Sequence, residues 1–200
     1  MNKIISISRE FGSGGHEIGE KFAKKLYVPF YDRSLSEVAA SNIGIDTSKI
    51  EELDEKVASS FMYSLVMSNA FINNANSTNM TAQDRMFAEQ SRLIEEYSQK
   101  GSCVIVGRCS DYILRNNPNC VHVFICANIN SRIQRIMQKK SLSEYNATAL
   151  VKKTDKARAS YYQHYTSKKW GSPTSYDICM NTNSLSIDGV VDLLIKMFET

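Results

Sequence analysis

Eight residues near the start of the chain, Arg9-Glu10-Phe11-Gly12-Ser13-Gly14-Gly15-His16, have the spacing of a phosphate-binding loop. The general pattern is G-x-x-x-x-G-K-[ST]. A glycine-rich turn that opens into a helix aims backbone N–H groups at an anion. Gly12, Ser13, Gly14 and Gly15 form such a turn, and His16 and Glu17 begin the helix. Arg9 stands where the first glycine belongs, Gly14 at the second, Gly15 at the lysine and His16 at the hydroxyl residue. The cradle is therefore present without its two chemical side chains. Arg9 either replaces the lost charge or pairs with a carboxylate and braces the turn. His16 can donate to a phosphate, although a helix N-terminus disfavours an imidazolium. Glu17 can hold Mg²⁺ through water; its plainer role is a first-turn glutamate that favours the helix dipole.

Ligands of parallel α/β sheets bind at the carboxyl ends of the strands. Three of the apolar runs in this chain are followed by arginine: Arg9 after Ile4–Ser8, Arg33 after Tyr31-Asp32, and Arg108 after Val106-Gly107. Guanidinium forks suit phosphate. Arg132 and Arg135 lie three apart on one helical face, as do Asp155 and Arg158, where the aspartate is positioned to hold the arginine in an ion pair. Tyr161, Tyr162 and Tyr165 read as packing residues rather than base-stacking ones.

The elements that must position these groups alternate. Strands are expected at Ile4–Ser8, Val28–Tyr31, Ser102–Val106, Val121–Ala127 and Tyr176–Met180. CVIV and VHVFICA are continuous apolar runs, the signature of parallel strands covered on both faces. Helices are expected at His16–Leu26, Ser34–Ala40, Asp111–Asn116, Ser131–Lys140 and Ile187–Phe198. This alternation predicts an α/β fold. Residues 34–100 are too many for one crossover helix and predict a helical insert. Thr81 and Asp84 form a capping box for a helix that runs to Gln99. The apolar stretch Phe61–Met67 is read as core, with a homodimer face as the alternative.

Charge is unevenly distributed. Between Asn130 and Lys169 there are ten lysines and arginines against Glu144 and Asp155, a net +8 on a chain whose total is +3. Such a patch suits an anionic ligand. The five cysteines show no C-x-x-C pair, and Cys103, Cys126 and Cys179 fall in runs read as buried strands. An odd number without a framework predicts a reduced, cytoplasmic protein. The apolar run after Lys3 is too short for a signal peptide, and no stretch approaches a membrane span.

From Ser102 onward the chain resembles bacterial cytidylate kinase, and more closely its relatives with a variant phosphate loop, the cytidylate kinase-like proteins. VIVGRCSDYI resembles their strand-Gly-Arg element, and VFICANINSRIQRIM their strand and arginine-bearing helix. Asp155-x-x-Arg158 resembles the lid, and YDICMNTNSLSIDGVVDLLI the final strand, turn and helix. The SREFGSGG loop is the variant group's own form. The resemblance implies a P-loop, nucleoside monophosphate kinase-like fold: a parallel five-stranded sheet flanked by helices, with a helical insert and a lid. It implies one domain over 1–200, with a core of about 1–33, 101–140 and 171–200, an insert of 34–100 and a lid of 141–170. It implies ATP and Mg²⁺, Arg108 on the acceptor phosphate, and Arg132, Arg135 and Arg158 on the transferring phosphoryl group. Asp32 and Asp177 are implied near the acceptor nucleoside, with Arg33 beside Asp32. The chain departs from the family's pattern at Gly15 and His16. Its lid also has Val151, Lys152, Lys153 and Thr154 where classical members carry further arginines.

Three functions compete. The retained arginines favour an atypical nucleotide kinase acting on a pyrimidine nucleotide or a related phosphorylated acceptor. The absent lysine favours a nucleotide-binding sensor without turnover. Nucleic-acid binding through 130–169 is the weakest, because the basic residues gather beside the phosphate loop.

Overall fold

The computed structural model describes residues 3–50 and 80–199. Five strands form one all-parallel sheet: β1 (Ile4–Arg9), β2 (Phe30–Tyr31), β3 (Cys103–Val106), β4 (Cys120–Cys126) and β5 (Ile178–Asn181). Their order is β2-β3-β1-β4-β5. β1 pairs with β3 from Ile4↔Cys103 to Ile7↔Val106, and with β4 from Ile4↔Cys120 to Arg9↔Ile125. The chain builds to one side of β1 and then returns past it to build on the other. Beside β1 is thus the topological switch point, where such sheets open a ligand crevice.

Strand alternation divides the core into two layers. Ile5 and Ile7 of β1, with Val104, Val106, Val123 and Ile125, face α1 (Gly15–Leu26) and α7 (Ile187–Glu199) through Ile18, Phe22, Val190, Val191 and Leu194. Ile4, Cys103, Ile105 and Cys120 face α2 (Arg33–Asn42) and α3 (Ala82–Lys100) through Leu35, Ala39, Met86, Leu93 and Ile94. α3 begins with the expected capping box, the Thr81 hydroxyl accepting from the Asp84 N–H at 3.1 Å.

Helices α4 (Ser110–Ile113), α5 (Ile129–Lys140) and α6 (Glu144–Thr166) complete the described residues. α6 is one unbroken helix of 23 residues, capped by Ser143. Tyr161, Tyr162 and Tyr165 pack, as expected. Tyr165 stacks on Phe87 of α3 with ring centroids 3.9 Å apart, and the Tyr161 hydroxyl lies 3.0 Å from Gln90 Oε1. Tyr162 is buried and donates to Asp111 Oδ2 at 2.7 Å.

Several boundaries differ from the sequence prediction. β2 is only two residues long, and α4 stops at Ile113 rather than Asn116. β5 begins at Ile178 and is an edge strand, with only β4 beside it. Cys179 is therefore exposed and Cys126 half-buried; only Cys103 of the three is a core residue. Phe61–Met67 lies outside the described residues.

Asp111 ties three elements together. It accepts from Ser8 of β1 as well as from Tyr162 of α6, and it is almost completely buried. Burial holds its pKa above the ordinary value, and the two hydroxyl donors only partly oppose that. A carboxyl raised in the folded state binds its proton more tightly there than in the unfolded chain. Its contribution is complete below the unfolded value and is lost as pH rises through the folded one. Asp111→Asn is expected to melt close to the wild-type chain at about pH 4 and above it once pH has risen well past that value. Thermal melts across that rise in pH would reject this if the difference were constant.

Candidate active site

The glycine loop joins β1 to α1. Gly12 and Gly14 lie at φ +81° and +90°, in the left-handed region that glycine enters without penalty. A Cβ on Gly12 would meet the Arg132 carbonyl oxygen at 2.9 Å. The loop's carbonyls are held from outside, one after another. Arg158 Nη1 donates to Arg9 O at 2.8 Å, Arg132 Nη1 to Phe11 O at 3.3 Å, and Arg135 Nη1 to Gly12 O at 2.6 Å. The Thr182 hydroxyl donates to Ser13 O at 2.8 Å, and Ser13 itself closes onto Glu10 O. In a trans peptide the N–H points opposite to its C=O. The Ser13 carbonyl, turned outward to Thr182, therefore turns the Gly14 N–H the other way, and the Gly15 N–H is the first of a helix whose start has no side-chain cap. These are the orphan donors of a helix N-terminus, gathered for an anion.

Arg132 is the keystone of this arrangement. It is buried, its Nε donates to Ala127 O at 3.1 Å and lies 3.4 Å from Glu10, and its Nη1 pairs with Asp155. Asp155 also accepts from the Phe11 N–H at 2.8 Å, and Glu10 accepts from the Ala127 N–H at 3.0 Å. Here the structure corrects an expectation. Asp155 pairs with Arg132 of α5, while Arg158, one turn along its own helix, reaches past it to the loop and covers the Phe11 ring.

Beside the loop is a cavity of about 570 Å³. Among the described residues it is lined by six cations, Arg9, Arg33, Arg108, Lys140, Lys153 and Arg158, and by one carboxylate, Asp32. Phe11, Tyr161, Tyr162 and Trp170 add aromatic walls. The turn after β3 presents Arg108 at a conformational cost: Gly107, Arg108 and Cys109 have successive φ values of +81°, +57° and +55°. Left-handed non-glycine residues cost on the order of 1 kcal/mol each and gather at functional sites. The cations also oppose one another. Arg9 is held well below its usual pKa by burial and by Arg158 and Arg108, with Asp32 opposing. Arg158 is pushed down to about 10, mainly by burial, with Asp155 raising and Arg108 lowering it. A bound anion would relieve both.

Asp32 caps α2 through the Ser34 N–H and lies 2.7 Å from His16 Nε2. Burial alone would raise its pKa; the bonds from His16 and Ser34, with Arg9 nearby, outweigh that and hold it below the ordinary range.

The cytidylate kinase-like family model matches residues 4–184. The chain belongs to the cytidylate kinase-like family. An uncharacterized protein from Eubacterium ventriosum has a solved structure that is 29% identical, with a TM-score of 0.74, over 100% of this chain and 99% of that one. Shikimate kinase from Bacteroides thetaiotaomicron is 15% identical, with a TM-score of 0.56 and 100% of both chains covered. A gluconokinase from Sinorhizobium meliloti is 13% identical, with a TM-score of 0.51, over 99% of this chain and 94% of that one. The fold is thus that of P-loop kinases. A uronate isomerase from Corynebacterium glutamicum is 27% identical over 124 residues. That match takes in 62% of this chain and only 24% of that protein's length, so its named activity stays with that protein.

Within this family fold the expected site residues divide into groups. Gly12, Ser13, Gly14 and Gly15 form the loop. Arg9, Asp32, Arg33, Arg108 and Arg158 are brought together at the cavity. Arg132 and Arg135 are turned to the loop's backbone, as described above. His16 faces Asp32, with its ring edge-on to Phe30, and Glu17 pairs with Lys21 at 3.3 Å. The structure does not bring Asp177 to the cavity; it accepts from the His122 N–H at 2.7 Å at the opposite, amino end of β5. The sequence did not single out Glu10 or Trp170, and it counted Lys140 and Lys153 only as members of the basic segment 130–169.

Removing Arg132 strands two carboxylates, Glu10 and Asp155, in a partly buried setting. Arg132→Met is expected to destabilise the chain by about 3–5 kcal/mol. Urea unfolding that finds less than about 1 kcal/mol, the range of an exposed ion pair, would sink the keystone assignment.

Proposed function

We propose that the chain is a phosphotransferase that moves the γ-phosphoryl group of ATP onto an acceptor that itself carries a phosphate. Within its family, a pyrimidine nucleoside monophosphate is the acceptor to try first. The observation that carries this reading is the cavity's charge. Among the described residues, six cations line the cavity against one carboxylate, a balance that suits an acceptor phosphate beside those of the donor. The volume lies within the ~300–1,000 Å³ typical of small-molecule sites.

Phosphoryl transfer is largely positioning and charge neutralisation. The N–H groups of Gly14 and Gly15 would hold donor phosphate oxygens. Arg108, aimed by its strained turn, would hold the acceptor's phosphate. Arg158 would neutralise charge that develops between them. Asp32, kept ionised, would accept from an acceptor hydroxyl or amine. Bound to the donor, Mg²⁺ would supply charge neutralisation at its phosphates; no group of three or more His, Cys, Asp or Glu that could hold a metal ion occurs among the described residues.

A second reading, nucleotide binding without turnover, draws support from two observations. The loop lysine is absent, and Arg132, Arg135 and Arg158 all donate to loop carbonyls.

Mass spectrometry of products formed from ATP, Mg²⁺ and a panel of nucleoside monophosphates, including CMP, dCMP and UMP, separates the two. The kinase reading expects a diphosphate, and expects Arg108→Ala to slow its formation by roughly a hundredfold or more. ATP binding with no product from any acceptor would favour the second reading.

A further inference from the structure

Gly15 has no backbone reason to be glycine. Gly12 and Gly14 have left-handed φ values; Gly15 does not, and it begins α1 as an ordinary helical residue. What excludes a side chain at this position is Arg9. A Cβ on Gly15 would lie 2.5 Å from Arg9 Cβ and 3.0 Å from Arg9 Cγ. The stem of Arg9 therefore fills the space through which a side chain at position 15 would leave the helix. Its guanidinium then emerges at the cavity against Gly107, where Arg9 Nη1 occupies the place of a Cβ. Two glycines frame one arginine.

The usual loop has glycine at the first position and lysine at the seventh. This chain has a cation at the first, Arg9, and glycine at the seventh, Gly15. The two residue types have changed places across a direct contact. We infer that Arg9 supplies to bound phosphates the cation that a loop lysine otherwise supplies, and that Gly15 is the space it needs to do so. Arg9 starts from the end of β1 rather than from the helix, so its charge lies between the glycine loop and Arg108. Its planar fork can bond two phosphate oxygens at once, which an ammonium does less well. This inference rests on reading the loop as a phosphate site.

The test uses the wild-type chain, Arg9→Gly, Gly15→Lys and the double variant, with magnesium tripolyphosphate as the calorimetric probe and a thermal melt of each. The wild-type chain is expected to bind. Arg9→Gly should bind about tenfold or more weakly. Gly15→Lys alone should melt several degrees lower and lose binding, because the two side chains collide. The double variant should recover both, a coupling that independent sites would not show. If Gly15→Lys does not fold, Gly15→Ala keeps the steric half testable. It should lower the melting temperature in the wild-type background and raise it in Arg9→Gly, where alanine is the better helix residue.

Unchanged binding by Arg9→Gly would overturn the inference, as would a double variant no better than Gly15→Lys. If the wild-type chain still forms a diphosphate in that case, the kinase reading survives. A wild-type chain that binds no tripolyphosphate overturns both.

Discussion

The site depends on side chains of α5 and α6 holding the backbone of one loop from outside. Three glycines in four residues give that loop a large conformational entropy to lose. Its own sequence contributes only the turn from Ser13 to Glu10. Convergent N–H groups therefore have to be imposed, and they are imposed by fixing the carbonyls. Arg158, Arg132, Arg135 and Thr182 take the carbonyls of Arg9, Phe11, Gly12 and Ser13 in turn. Hydrogen bonds from charged donors are stronger than neutral ones. Because Arg132 also binds Glu10 and Asp155, the same network fastens the loop to both helices. The glycine loop, α5 and α6 are in this sense one construction.

The cavity beside the loop gathers like charges among its described lining residues. Burial, with Arg158 and Arg108 beside it, holds Arg9 well below its usual pKa, and burial together with Arg108 lowers that of Arg158 against Asp155. The turn that carries Arg108 is itself strained at two residues, Arg108 and Cys109. Repulsion and strain of this kind persist only where the surrounding fold imposes them, and they mark sites built for a ligand. A bound anion would lower the repulsion.

Much of this was legible in the sequence. The apolar runs of β1, β3 and β4 reported a sheet covered on both faces, and the Thr81–Asp84 box marked the start of α3. β5 was harder, because an edge strand can carry the same apolar composition as a central one, and Cys179 was read as buried for that reason. The arginines show a different limit. Spacing put Arg132 and Arg135 on one helical face, and the family resemblance implied both, with Arg158, on a phosphoryl group; in the structure each donates to a carbonyl of the glycine loop. Spacing did not report whether they meet phosphate or carbonyl oxygen, since a guanidinium suits both. Asp155 was matched to Arg158 because helical spacing sees only neighbours on one helix, and its partner came from another. Asp177 lies at the amino end of its strand, and position along a motif does not reveal which end of a strand faces the ligand.

Gly15 shows why a motif is better read as contacts than as letters. Taken position by position, the loop has lost a lysine and gained an unexplained arginine. Taken in space, the two differences are one, because Arg9 and a side chain at position 15 exclude each other. The exchange also accounts for Gly107, which lies in another element altogether and must leave room for the far end of the same side chain. A lysine at the helix start keeps its charge on a flexible stem beside the donor's phosphates. An arginine rooted in the central strand of a five-stranded sheet, and gripped between two glycines, has fewer rotamers to lose on binding. It also carries its charge toward the acceptor side. The loop has thus given up a mobile cation for a fixed one, and the position of that cation ties the phosphate loop to the turn that presents Arg108.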